Sequence, residues 1–197
     1  MANIKINGNK YNGIERVKFV GADGMSAVSF MDASILENLI TGTTTEEYYD
    51  TQITAIKTNV FRSAKINIIN MPKVKSISYQ SYQYSAASEI RFEGLQTFDG
   101  GSVFLAMPSL TKAVFGEALS SLAGQTFNGC SKLATLVLPY KGVVTLNTDA
   151  LKSTAIENGT GYVYVPSAQV DNYKSNAAWS AYSNQIRAIE EYPDEVV

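Results

Sequence analysis

Apolar residues in this chain recur with a 3-3-2 spacing that neither an amphipathic helix nor a simple alternating strand produces. In Thr126–Pro139, TFNGCSKLATLVLP, Phe127 and Cys130 lead into Leu133, Leu136 and Leu138. A turn that delivers the chain into a short strand with alternate residues inward has this cadence. Met107, Leu110, Ala113 and Phe115 repeat the positions of Cys130, Leu133, Leu136 and Leu138, with Phe104 standing where Phe127 does. Tyr84, Ala87, Ile90 and Phe92 repeat them again, so three copies lie 23 residues apart. One such unit cannot bury its apolar side alone, whereas a stack of units can. Pro108 and Pro139 rule out one long helix through these copies.

Weaker pairs lie between the copies: Leu95/Phe98, Leu119/Leu122 and Val144/Leu146. They predict a second inward rung in each unit. Val60, Ser63, Ile66 and Ile68 form a degraded copy, and Met71, Val74, Ile77 and Tyr79 a good one. The latter starts only 13 residues before the Tyr84 copy, which predicts a shortened or terminal unit. The pattern as a whole predicts a β-rich α+β chain whose central 51–166 region is a repeat stack. Units of 23 residues fall in the leucine-rich-repeat range of about 20–29.

The flanks read differently. Residues 1–31 predict a three-stranded meander, with Ile4 and Ile6 alternating before Asn7-Gly8, then Val17 and Phe19, then Asp23-Gly24. Small sheets need one face covered, so the meander either caps the stack or docks on a neighbouring chain. In 32–50, Asp32 caps a predicted short helix carrying Ile35, Leu36, Leu39 and Ile40, with Gly42 as its stop. TGTTTEEYYD then reads as a polar linker, where Glu46, Glu47 and Asp50 are expected to be solvated rather than metal-binding. In 167–197, Ser167 caps a predicted short helix, Trp179 is expected to close the open end of the stack, and the acidic tail Glu190–Glu195 is expected to fray.

Composition narrows the chemistry. Of 197 residues 45% are apolar and 17% charged, which suits a globular chain. The net charge is −2 and no Lys/Arg cluster occurs, which argues against nucleic acid as a partner. No histidine is present, so Ser-His and Cys-His catalysis and imidazole metal ligation are excluded together. Cys130 is the only cysteine and sits at an inward repeat position, where it reads as a small buried hydrophobe. Asp99, Glu117 and Asp149 are the mid-chain carboxylates a glycosidase would need, but no pattern pairs them. No cofactor, metal or catalytic residue is therefore expected. No apolar run approaches the length of a membrane span, and MANIKINGNK lacks a signal-peptide core, so export by another route is expected.

Ser78–Ser88, SYQSYQYSAAS, supplies the one candidate binding surface, Tyr79, Tyr82 and Tyr84. On an exposed edge these rings would stack on sugars or anchor a protein partner. The cadence instead assigns Tyr79 and Tyr84 to the core and leaves only Tyr82 unaccounted for. The core proper is expected at Ile90, Phe92, Phe104, Leu110, Phe115, Phe127, Cys130, Leu133, Leu136 and Leu138.

TFNGCSKLATLVLP is similar to the BspA-type leucine-rich repeats of bacterial surface proteins. Their F-x-x-C-x-x-L-x-x-I-x-L-P spacing is matched by Phe127, Cys130, Leu133, Leu136, Leu138 and Pro139. The block GTGYVYVPSAQVDNYKSNAAWSAYSNQI resembles a segment that follows such repeats in surface proteins and in phage virion proteins of Gram-positive hosts. The opening I-x-I-N-G-x-x-Y with its D-G turn looks like the start of phage structural proteins. The resemblance implies a BspA-like solenoid with an N-terminal β-meander and a short helical C-terminal cap. It also implies a non-enzymatic role in binding and display.

Surface members of the family carry a signal peptide and a wall anchor, and this chain shows neither. The leading expectation is therefore a phage virion protein (tail, baseplate, head fibre or capsid decoration) made in the host cytoplasm. Its expected partners are other virion proteins and a host-surface glycan or protein, and its expected assembly is a homo-oligomer such as a trimer. The alternative is a bacterial cell-surface adhesin or glycan-binding module.

Overall fold

Strands of two to six residues cannot bury a face singly, and this chain answers by coiling so that each strand lies beside its counterpart one turn on. The structure, a computed structural model, describes residues 2–6, 9–14, 18–20, 26–29, 45–51 and 53–196. Nine strands form one main sheet. At one end β2 (Asn9–Ile14) pairs antiparallel with β1 (Ala2–Ile6), which pairs antiparallel with β5 (Thr45–Asp50). From there β7 (Ile66–Asn70), β9 (Glu89–Phe92), β11 (Lys112–Phe115), β13 (Thr135–Val137), β15 (Tyr162–Val165) and β16 (Ile186–Ala188) follow in order, all parallel. Tyr48, Ile69, Ile90, Ala113, Leu136, Val163 and Ile186 stand in one register row, and all are buried.

A second side of the coil carries short parallel strands. β6 (Ala55–Ile56), β8 (Ser76–Ser78) and β10 (Thr97–Asp99) pair in one strip, and β12 (Ser121–Leu122) with β14 (Thr145–Leu146) in another. Ile77 is the register partner of Phe98 here. The Met71–Tyr79 copy is thus the second side of its own coil and not a shortened extra unit. Its near-match to the cadence arises because both sides send alternate apolar residues inward.

Turns form the third side, and their backbones are stitched like strands. Phe61, Tyr82, Phe104 and Phe127 donate their N–H groups to the carbonyls of Ser81, Val103, Thr126 and Ala150, at 2.8, 3.0, 2.9 and 2.8 Å. Their rings stack along the axis: Phe61 on Tyr82 at 5.0 Å, Tyr82 on Phe104 at 5.5 Å, Phe104 on Phe127 at 5.3 Å. That spacing matches the roughly 4.8 Å between hydrogen-bonded strands, so ladder and ring column reinforce each other. Coils approach so closely at Gly116 that an added Cβ would lie 1.7 Å from the Glu93 carbonyl oxygen.

Two flank expectations change. Thr45–Asp50, expected as a polar linker, is strand β5, with Tyr48 and Asp50 buried. Tyr48 takes the inward position of the row, which an EEYY sequence does not advertise. Among the described residues the N-terminal strands number four, because Asn9–Ile14 returns along β1, while β3 (Lys18–Val20) and β4 (Ser26–Ser29) pair separately. The helix expected after Asp32, and the turns at Asn7-Gly8 and Asp23-Gly24, lie outside the described residues.

The C-terminal cap consists of helix α1 (Val170–Ser175) and the 3₁₀ turn Ser180–Gln185. Trp179 and Tyr173 are wholly buried, with ring centroids 5.1 Å apart. The Trp179 indole N–H donates to the Val144 carbonyl at 2.7 Å, and the Val144 N–H donates to the Tyr173 hydroxyl at 3.0 Å. Two side chains thus satisfy Val144, as a further coil would have done. Trp179→Phe keeps most of the packing but orphans that carbonyl, so a loss of about 1–3 kcal/mol is expected. Trp179→Ala should lose about 3–5 kcal/mol. No measurable loss for Trp179→Phe in urea unfolding would refute the part assigned to the hydrogen bond.

Candidate functional site

The three tyrosines are sorted by backbone geometry. Tyr82 is 0% exposed, within the ring column, and its hydroxyl donates to Met71 Sδ at 3.2 Å. Tyr79 and Tyr84 are 46% and 49% exposed. This reverses the cadence, which sent Tyr79 and Tyr84 inward, and it removes Tyr82 from the candidate surface. The cause is a slip of one residue. Phe61, Tyr82, Phe104 and Phe127 are structurally equivalent, so successive coils here are 21, 22 and 23 residues long. The position equivalent to Cys130 and Met107 is therefore Ser85, which is buried and donates from its hydroxyl to the Ala64 carbonyl at 3.2 Å.

Tyr84 belongs to another column, Ser63, Tyr84, Ala106 and Gly129, whose φ values are 60°, 62°, 53° and 78°. A left-handed backbone turns the chain so that the N–H bonds the next coil while the side chain points away. The Tyr84 ring lies out on the turn side with the Arg62 guanidinium 5.6 Å from its centroid. This pair, with Tyr79 nearby in the chain, is what remains of the tyrosine surface.

The residues expected in the core all lie there: Ile90, Phe92, Phe104, Leu110, Phe115, Phe127, Cys130, Leu133, Leu136 and Leu138 are at most 1% exposed. Cys130 donates from sulfur to the Phe104 carbonyl at 2.9 Å. Burial pushes its thiol from 9.0 up to about 12. Among the described residues no group of three His, Cys, Asp or Glu side chains could hold a metal ion. The carboxylates singled out above are exposed and serve local partners: Asp99 accepts from Thr97, Glu117 pairs with Lys141, and Asp149 pairs with Lys152.

A surface that sequence reasoning did not single out is the outer face of the main sheet. Residues between the inward ones point outward in two rows. One row runs Tyr49, Asn70, Arg91, Val114, Val137, Tyr164, Arg187, and the other Ile68, Glu89, Lys112, Thr135, Tyr162. Arg91 pairs with Glu89, and the Arg187 guanidinium stands 4.5 Å over the Tyr162 ring. Val114, Val137 and Tyr164 make a strip that is 7%, 4% and 4% exposed although it faces away from the core. The tail expected to fray covers it. Ile189 and Val196 pack against the strip, and Tyr192 meets Tyr164 edge-on at 5.8 Å. Burial first, and then the Glu195 carboxylate, pushes the Tyr164 phenol above its usual value. An I-x-x-Y-x-x-x-V spacing in the tail was the available signal, hidden among its acids.

Parallel coils, inward rungs on two sides and a hydrogen-bonded turn column define a capped β-rich repeat solenoid. The model of the BspA type leucine rich repeat region matches residues 48–176 in 6 copies, and the chain belongs to that family. Among solved structures, the chain is similar to a leucine-rich repeat protein from Bacteroides ovatus ATCC 8483, with a TM-score of 0.42 and 18% identity. That match covers 83% of this chain and 45% of the other, so the chain spans less than half of its length. A search of curated proteins finds no match. No helix among the described residues is long and apolar enough to cross a membrane.

Tyr84→Gly should be neutral or stabilising by up to about 1 kcal/mol, because a left-handed backbone costs a non-glycine residue roughly 1–2 kcal/mol. Tyr82→Ala should lose about 3–5 kcal/mol, and a similar loss for both in chemical unfolding would contradict the sorting. Cys130 should resist thiol reagents until the protein unfolds. Its raised folded value means that its contribution to stability is complete below about pH 9 and is lost as pH climbs toward 12. Prompt labelling of the native protein at pH 8 would overturn this.

Proposed function

We propose that this chain is a non-enzymatic binding scaffold that presents the outer face of its nine-stranded sheet to a protein partner. The observation that carries this reading is the strip Val114, Val137 and Tyr164, apolar side chains that face away from the core beneath the chain's own tail and are flanked by Arg91, Lys112 and Arg187. A repeat coil holds such rows at fixed spacing, and solenoids use faces of this kind for extended contacts. The turn side, with Tyr79 and Tyr84, offers two exposed rings and a smaller surface.

The setting we propose is the phage particle, with the chain as a tail, baseplate, head-fibre or decoration component in a homo-oligomer such as a trimer. Supporting it are the resemblance of the opening strand to phage structural proteins and that of the C-terminal block to segments in virion proteins. Mass spectrometry of purified virions tests the setting. The chain should appear in stoichiometric amounts with head or tail proteins, and its recovery only from bacterial cell envelopes would favour the adhesin. Surface variants test the face. Ile68→Glu with Thr135→Glu should weaken capture of virion or host proteins at least tenfold, while Tyr79→Ala with Tyr84→Ala should change it less than threefold. The reverse ranking would move the binding surface to the turn side.

A further inference from the structure

The outer-face strip is not empty in this chain. Ile189, Tyr192 and Val196 lie on it, through the 3₁₀ turn Ile189–Glu191 and the single helical turn Pro193–Val196 (α2), which reaches β13. The segment between these anchors is exposed: Glu190, Glu191, Pro193, Asp194 and Glu195 all face solvent. Beyond the three apolar contacts, the tail is held by the Glu190 carboxylate, which accepts the Ser167 N–H at 2.9 Å. Few buried contacts and an exposed backbone place a segment at the low end of local stability. The strip beneath it is different, because its residues sit on central strands paired on both sides.

Charge fits the same picture. Four carboxylates lie within the tail, and the face it crosses carries Arg91, Lys112 and Arg187 in the rows beside the strip. Arg91 already pairs with Glu89 and Arg187 stacks on Tyr162, so the cations supply a field around the strip rather than single partners for the tail.

We infer that Ile189–Val196 is a displaceable ligand carried in cis, and that the strip beneath it takes a partner segment of the same chemistry. That occupant is a short acidic peptide segment of another protein, with an aliphatic residue, an aromatic residue and a second aliphatic residue spaced along one or two helical turns. The inference rests on the outer face being the binding surface. It adds that the free protein covers that surface, so a partner competes with the tail. Binding is weakened by the fraction of time the tail is seated.

The test uses the full-length chain, a labelled peptide of the sequence IEEYPDEV as probe, and amide chemical shifts as readout. Tyr192→Ala with Val196→Asp lifts the cover without touching the strip, and Val196→Asp alone serves if the double variant does not fold. The peptide should shift Val114, Val137 and Tyr164 in the variant, with an apparent affinity at least tenfold higher than in the unmodified chain. Adding Val137→Asp should abolish those shifts. Equal affinity for variant and unmodified chain would sink the cover while leaving the outer face as the binding surface. Shifts at Tyr79 and Tyr84 instead would sink both readings. No shift in the variant at millimolar peptide would overturn the strip as a site for this chemistry.

Discussion

Hydrogen bonding from coil to coil is the constraint from which the rest of this molecule follows. Each bond is worth only about 0.5–1.5 kcal/mol net, but together they hold neighbouring coils roughly 4.8 Å apart on every side. At that distance aromatic rings in successive coils can stack, as Phe61, Tyr82, Phe104 and Phe127 do. Backbones meet so closely that Gly116 has no room for a side chain over Glu93. Turn residues must also aim their N–H groups along the axis, and the left-handed column through Tyr84 is one means. In a repeat stack each coil depends on its neighbours alone, so a coil that loses its phase also loses its rings and rungs.

Phase also explains which parts of the fold were legible in the sequence. Ile90, Ala113 and Leu136 pair in register at 23-residue steps, and their cadence was plain. The coil before them is shorter, and its missing residue falls between Ser85 and Ala87. A template of fixed period therefore laid Tyr84 over the position that Ser85 occupies. Hydrogen-bond register, which sequence periodicity does not report, puts the rings at Phe61 and Tyr82. Strand β5 escaped notice because Tyr48 is its inward anchor among acidic neighbours. The tail escaped for a related reason, since four acids surround the three residues that dock.

The same geometry separates stability from recognition. The inward strand row from Ile69 to Ile186 is apolar in every coil and leaves little freedom of choice. Outward rows on the main sheet vary from Arg91 and Glu89 to Val114, Val137 and Tyr164 without disturbing the rungs beneath.

One feature of the cap reaches beyond the single chain. A stack whose last coil ended in bare donors and acceptors would present a template on which another body could continue end to end. At Val144 an approaching chain meets an indole and a phenol already bonded to the groups it would need. Growth along the axis is arrested there by side-chain chemistry. The second side of the coil is therefore closed at Val144 to end-on pairing by another chain.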